Sequence, residues 1–118
     1  MSMSHYANYI NELTGSTVVE DRYGFYQYSI FPEYLYIDEF YIDPQYRGFK
    51  EARRYIREMA EVAQQHNFTY LMGGVRLSNS NAASILTLHL RNKCKLFSAE
   101  NNCIYIKISI EDALSLGL

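Results

Sequence analysis

Asp38 and Glu39 are adjacent carboxylates inside residues 34–43, a run otherwise made almost wholly of aromatic and aliphatic side chains. Such a run reads as a strand apolar on both faces, with Tyr34, Tyr36, Phe40 and Ile42 pointing one way and Leu35, Ile37 and Tyr41 the other. If that strand is central, at least one carboxylate points where water is scarce. An unpaired buried carboxylate is costly and responds with a raised pKa, which is how a general base poised near neutral pH is made. A bulge that turns both residues outward, or a basic partner such as Arg22, satisfies the pair without any chemistry.

The second chemical signal is Gln45-Tyr46-Arg47-Gly48, between that strand and a long helical pattern. Unsatisfied N–H groups and the helix dipole make such a junction an anion site. Arg47 adds a charge, and Gly48 permits close approach to the backbone. Lys50, Arg53, Arg54 and Arg57 form a basic stripe along the helix, read either as a phosphate contact or as a solvated face partnered by Glu51 and Glu58.

These residues need positioning elements, and the periodicities supply them. Ser4 caps a helix with apolar face Tyr6, Tyr9, Ile10 and Leu13, which Gly15 stops. Residues 17–20 and 23–31 are β-prone, with Gly24 as a possible bulge or wide turn, and the Pro32-Glu33 turn makes the next strand a hairpin partner. From Gly48 a helix runs to about Asn67, burying Phe49, Ala52, Ile56, Met59, Ala60 and Ala63. Residues 68–76 form a strand interrupted by Gly73-Gly74, giving a βαβ unit. A helix over 82–92, a short strand at 96–98 and an alternating strand from Cys103 to Ile110 complete the chain. The order implies one domain with a mixed sheet and helices on both faces, at the boundary between α/β and α+β.

The strand, the proline, Tyr46-Arg47-Gly48 and the helix together resemble the fourth strand and following loop of GNAT-fold N-acetyltransferases, the polyamine acetyltransferases in particular. The resemblance covers roughly residues 34–92 and implies a mostly antiparallel central sheet that takes acetyl-CoA as co-substrate. In the family, the loop pattern is Arg or Gln, two residues, Gly, one residue, then Gly or Ala, and its amides hold the CoA pyrophosphate. Here it reads Arg47, Gly48, Phe49, Lys50, Glu51, Ala52, with Lys50 at the first glycine. The resemblance further implies that a backbone N–H around Phe40, Tyr41 and Ile42 polarises the thioester carbonyl. It makes Asp38 the base, with Glu39 helping to bind a cationic amine, and it brings Asn79 to the cofactor and the pantetheine arm past Gly73-Gly74. The family's tyrosine that protonates the departing thiolate is absent from residues 79–92. Leu86 or Leu88 takes its place, and nearby His89 becomes the candidate donor.

A net charge of −2 gives no general reason to expect nucleic-acid binding. There is no apolar run long enough to span a membrane and no secretory signal at the start, and Cys94 and Cys103 show no metal spacing. The expectation is a cytoplasmic protein with reduced thiols, capable of pairing into a homodimer through its sheet edges. Two functional readings follow. One is acetyl transfer from acetyl-CoA to a primary amine of a small molecule, polyamine or protein lysine; the other is a non-catalytic module of the same fold, used for interaction or structure, of a kind viruses and mobile elements encode.

Overall fold

The computed structural model describes residues 4–116. Helix α1 (His5–Thr14) starts where the Ser4 hydroxyl accepts from the Ala7 N–H at 3.0 Å and ends at Gly15, whose φ of 78° suits glycine. Its burial departs from the expectation. Tyr6, Tyr9 and Leu13 are exposed, and Ala7 is the buried residue of the helix. α1 rests on β1 (Thr17–Glu20), a short strand at the sheet edge, where one small residue makes the close approach and a wide stripe has nothing to cover.

β2 (Gly24–Ile30) and β3 (Leu35–Ile42) form the expected hairpin. α2 (Phe49–Gln65) then crosses to β4 (Tyr70–Arg76), which runs parallel to β3, so the βαβ unit is present. After α3 (Ala82–Arg91), strands β5 (Lys95–Glu100) and β6 (Cys103–Ser109) are joined through Asn101 and Asn102, at φ of 50° and 60°. The order is β1-β2-β3-β4-β6-β5, with β3–β4 the parallel contact. A short helix, α4 (Ile110–Leu114), ends the described chain where the sequence reading had only the end of a strand. Its signal was present: the Ser109 hydroxyl accepts from the Asp112 N–H at 3.0 Å, a serine cap three residues before an acid.

The expected strict alternation along β3 fails at one residue. Tyr28 pairs with Ile37 but Gln27 with Glu39, so Asp38 is the extra residue of a bulge. Leu35 and Ile37 before the bulge, and Phe40 and Ile42 after it, all pack on the same core. An unbroken strand would have sent the two pairs to opposite faces. Gly24, suspected as the bulge, sits in regular register opposite Ile42. A Cβ there would stand 1.9 Å from the Tyr41 carbonyl oxygen, so only glycine admits that approach.

The main core lies between the sheet and helices α2, α3 and α4, around Leu35, Tyr55, Met59, Leu71 and Ile108, while Ala7 and Val18 close the α1 side. Helices therefore cover both faces. Tyr55, absent from the expected apolar set of α2, is its largest fully buried side chain. Cys94 and Cys103 are both free thiols, and burial pushes Cys94 up to about 11. No helix among the described residues is long and apolar enough to cross a membrane.

Arg54 ties α2 to the β1–β2 turn. Its guanidinium reaches Asp21, Glu51 and Glu58, each at 2.7 Å, and the Tyr55 hydroxyl donates to Asp21 at 2.7 Å. Burial alone would raise the Asp21 pKa; hydrogen bonds from Arg54, Tyr55 and the Tyr23 N–H outweigh it and hold the carboxyl below its ordinary 3.8. Asp21 therefore contributes stability that is fully present above that value and is lost as pH falls through the lower folded-state pKa. Arg54→Ala is expected to lower stability at about pH 7 by ~1–3 kcal/mol, a figure discounted for partial exposure, and by less at about pH 3. Urea unfolding at both pH values measures this; an equal loss at each would remove Asp21 from the explanation.

Candidate active site

The parallel pairing of β3 with β4 covers three residues, from Leu35–Leu71 to Ile37–Gly73, and then stops. Beyond it the strands diverge, each still held by its antiparallel partner, β2 or β6. The Asp43 N–H donates to the Tyr23 carbonyl at 2.8 Å, which fixes the alternation at the end of β3. The backbone groups of Tyr41 and Asp43 face β2, and those of Phe40 and Ile42 face the opening. On the facing strand, the Leu77 N–H bonds to the Asn102 carbonyl at 2.9 Å, so Gly74 and Arg76 turn their backbone groups toward the opening in the same way.

The opening is a cleft of about 620 Å³. Residues 37–40 line one wall and residues 73–76 the other; Ala52, Arg53 and Ile56 of α2 form its floor, and α3 contributes Ile85, Leu88 and His89, with Asn92 just after it. Of the residues expected from the sequence, Asp38, Glu39, Phe40, Ala52, Asn79 and His89 border it together. Tyr41, Ile42, Arg47, Gly48, Lys50 and Glu51 do not line it, and the Phe49 side chain lies outside the described residues. Leu88 rather than Leu86 faces the cleft, which settles the register of α3; Leu86 packs against the core. Arg53, read from the sequence as part of a basic stripe that could contact a phosphate, borders the cleft, while Ile56 and Asn92 were missed as site residues, although the i, i+4 spacing of Ile56 from Ala52 was available as a signal.

The α2 N-terminus begins at Gly48, which supplies no side-chain cap, so the first-turn amides keep their donors. Arg47 turns back from it. Its Nε donates to the Ile42 carbonyl at 2.9 Å, and its guanidinium lies 5.5 Å from the Tyr41 ring centre. Glu51 is buried and held by Arg54, so its charge is matched where it might have opposed an anion at the helix start.

The expectation of a carboxylate placed away from water is overturned: Asp38 and Glu39 are both exposed. The bulge is the reason. Asp38 Oδ2 accepts from the Ser29 hydroxyl at 2.6 Å and the Ser16 hydroxyl at 3.1 Å. Ser29 pairs with Tyr36 and Glu39 with Gln27, positions on the face away from the main core, so both carboxylates emerge on one side. His89 stands edge-on to Phe40, with ring centres 6.4 Å apart, and burial lowers its pKa below the ordinary 6.5. It is a neutral imidazole at neutral pH.

The acetyltransferase (GNAT) family model matches residues 3–88. Among solved structures, the PaiA N-acetyltransferase of Thermoplasma acidophilum in complex with coenzyme A superposes with a TM-score of 0.63 at 15% identity, over 74% of this chain and 53% of its own. The chain thus spans about half the length of that protein. A GNAT family acetyltransferase from Elizabethkingia anophelis with acetyl-CoA bound gives 0.66 at 12% identity over 86% and 82% of the two chains. A GNAT acetyltransferase from Listeria monocytogenes gives 0.67 at 10% over 89% and 70%. At these identities the superpositions show a shared fold. No curated protein matches the chain in sequence.

The half-buried setting of His89 yields a direct expectation. Its ring titrates below 6.5 in an NMR pH series, and Phe40→Ala, which lets water reach it, moves the titration back up toward 6.5. A wild-type His89 that titrates at or above 6.5 would contradict the cleft as described.

Proposed function

The chain belongs to the acetyltransferase (GNAT) family, and from that premise we propose that it transfers an acetyl group from acetyl-CoA to a primary amine by direct attack. The observation that carries this reading is the divergence of β3 and β4, which turns strand-edge groups into a cleft that α2 borders from Ala52 onward. Acetyl-CoA supplies the activated acyl group as a thioester. The edge groups of Phe40 and Ile42 on one wall, and of Gly74 and Arg76 on the other, suit the amides of an extended pantetheine arm in the manner of an added strand. The first-turn amides of α2 suit a pyrophosphate, and exposed Lys50 adds positive charge beside them. The N–H of Phe40 or Ile42 is the donor for the carbonyl oxygen as it gains charge.

Asp38 is assigned as the proton acceptor for the incoming ammonium and Glu39 as the second carboxylate that attracts it. Ser29 and Ser16 hold Asp38 through Oδ2. His89, neutral at physiological pH, has little proton to give, so the departing thiolate takes its proton from solvent. A second reading, a non-catalytic module of the same fold kept for interaction or structure, draws on Leu88 facing the cleft in a helix that has no tyrosine.

Calorimetric titration with acetyl-CoA, against dephospho-CoA as a control for the 3′-phosphate, tests the first step, with saturable binding expected. Asp38→Asn is expected to reduce turnover on cationic amines by ~10²-fold or more at unchanged acetyl-CoA affinity. Binding without turnover on any amine in the wild type would remove the enzyme reading; no binding at millimolar cofactor would select the non-catalytic module.

A further inference from the structure

Toward the other end of β4 a second cavity, of about 320 Å³, opens where β4 begins and β6 ends. Three lysines line it: Lys93 from the turn after α3, Lys95 from β5 and Lys107 from β6. Lys95 and Lys107 are direct cross-strand partners. Like charges set opposite each other on paired strands destabilise a sheet. No carboxylate relieves them within ion-pair distance, since the ion pairs found among the described residues all belong to Arg54.

Lys107 and Lys93 are held by neutral groups instead. Lys107 Nζ lies 5.4 Å from the Tyr70 ring centre and 5.3 Å from that of Phe97. Lys93 Nζ donates to the Ser115 hydroxyl at 3.2 Å, from a residue whose φ of 71° is uncommon outside glycine. Asp112 and the hydroxyl-bearing Thr69 and Ser109 also line the cavity. Three lysines against one aspartate leave a net charge of +2 around it.

We propose that this cavity is a second ligand site, for a small phosphoryl anion carrying at least two negative charges. Three ammonium groups, each with several donors, suit a tetrahedral oxyanion that accepts from many directions. The volume is about ten times the ~30 Å³ share of a liquid water, so it admits an anion of pyrophosphate size with its hydration. An anion seated between Lys95 and Lys107 also removes the repulsion built into the β5–β6 pair. Lys107 borders the acetyl-transfer cleft as well, whereas Lys93 and Lys95 do not, and the proposal stands whether or not the chain binds acetyl-CoA.

The test is a two-dimensional NMR titration of ¹⁵N-labelled protein with sodium pyrophosphate at constant ionic strength, in wild type and Lys95→Gln. The wild type is expected to show saturable shifts at the amides of Thr69, Lys93, Lys95, Lys107 and Ser109. Lys95→Gln, at an exposed edge-strand position, is expected to weaken binding by about tenfold or more. In anion-free buffer the same variant is expected to unfold at a higher temperature than wild type, because it lacks the cross-strand repulsion. Shifts confined to residues 48–51, equal affinity in the variant, or citrate binding as tightly as pyrophosphate would each overturn the assignment.

Discussion

Backbone N–H and C=O groups must find partners in protein, water or ligand, and in this fold the pairing between β3 and β4 ends at Ile37 and Gly73 with both strands continuing. The stop is enforced from outside. β2 holds β3 as far as Ile42, and β6 holds β4 as far as Arg76, so neither strand can swing across to close the gap. From within, Phe40, Ile42 and Val75 carry the apolar core beyond the last paired residues, and α2 and α3 pack against it. The cleft is therefore a consequence of satisfied neighbours rather than a loosely packed region. Of its edge groups, the Ile42 carbonyl accepts from the Arg47 Nε, while those of Phe40, Gly74 and Arg76 have no strand partner.

The first half of the sheet depends on α2 for a second reason. Asp21, Glu51 and Glu58 converge on Arg54, and Tyr26 from β2 donates to Glu58 at 2.9 Å. One guanidinium thus joins the β1–β2 turn, strand β2 and the first three turns of α2. The same network decides the electrostatics of the helix start. Glu51 sits in the first turn, where a free carboxylate would favour the dipole but repel an incoming phosphate. Bound to Arg54, it does neither strongly, and exposed Lys50 is left to set the local sign.

Periodicity made α1, α2, the βαβ unit and the final hairpin legible, because their signals are local: a serine cap, a glycine at left-handed φ, an apolar stripe at helical spacing. The bulge at Asp38 was not legible as a position. Nothing in the residues 34–43 distinguishes an eight-residue strand in strict alternation from one that slips by a single residue, and the slip reverses every side chain after it. The apolar face of α1 misled for a related reason. Amphipathic spacing says which side of a helix is apolar, but the breadth of surface beneath it decides whether that side is covered, and β1 is four residues long at an edge. The place of Leu88 against Leu86 likewise required the angle at which α3 meets the sheet.

The bulge also changes what Asp38 and Glu39 are able to do. A strictly alternating strand would separate the carboxylates by the thickness of the sheet, one buried and one in water. Placed on one side at the border of the cleft, they form a single anionic rim where a cation can meet both. What the bulge supplies is orientation and proximity. Orientation is provided: two serine hydroxyls converge on Oδ2 of Asp38, and no described residue donates to Oδ1. The extra residue that disturbs the ladder is thus the one that aims its side chain at the opening the ladder leaves.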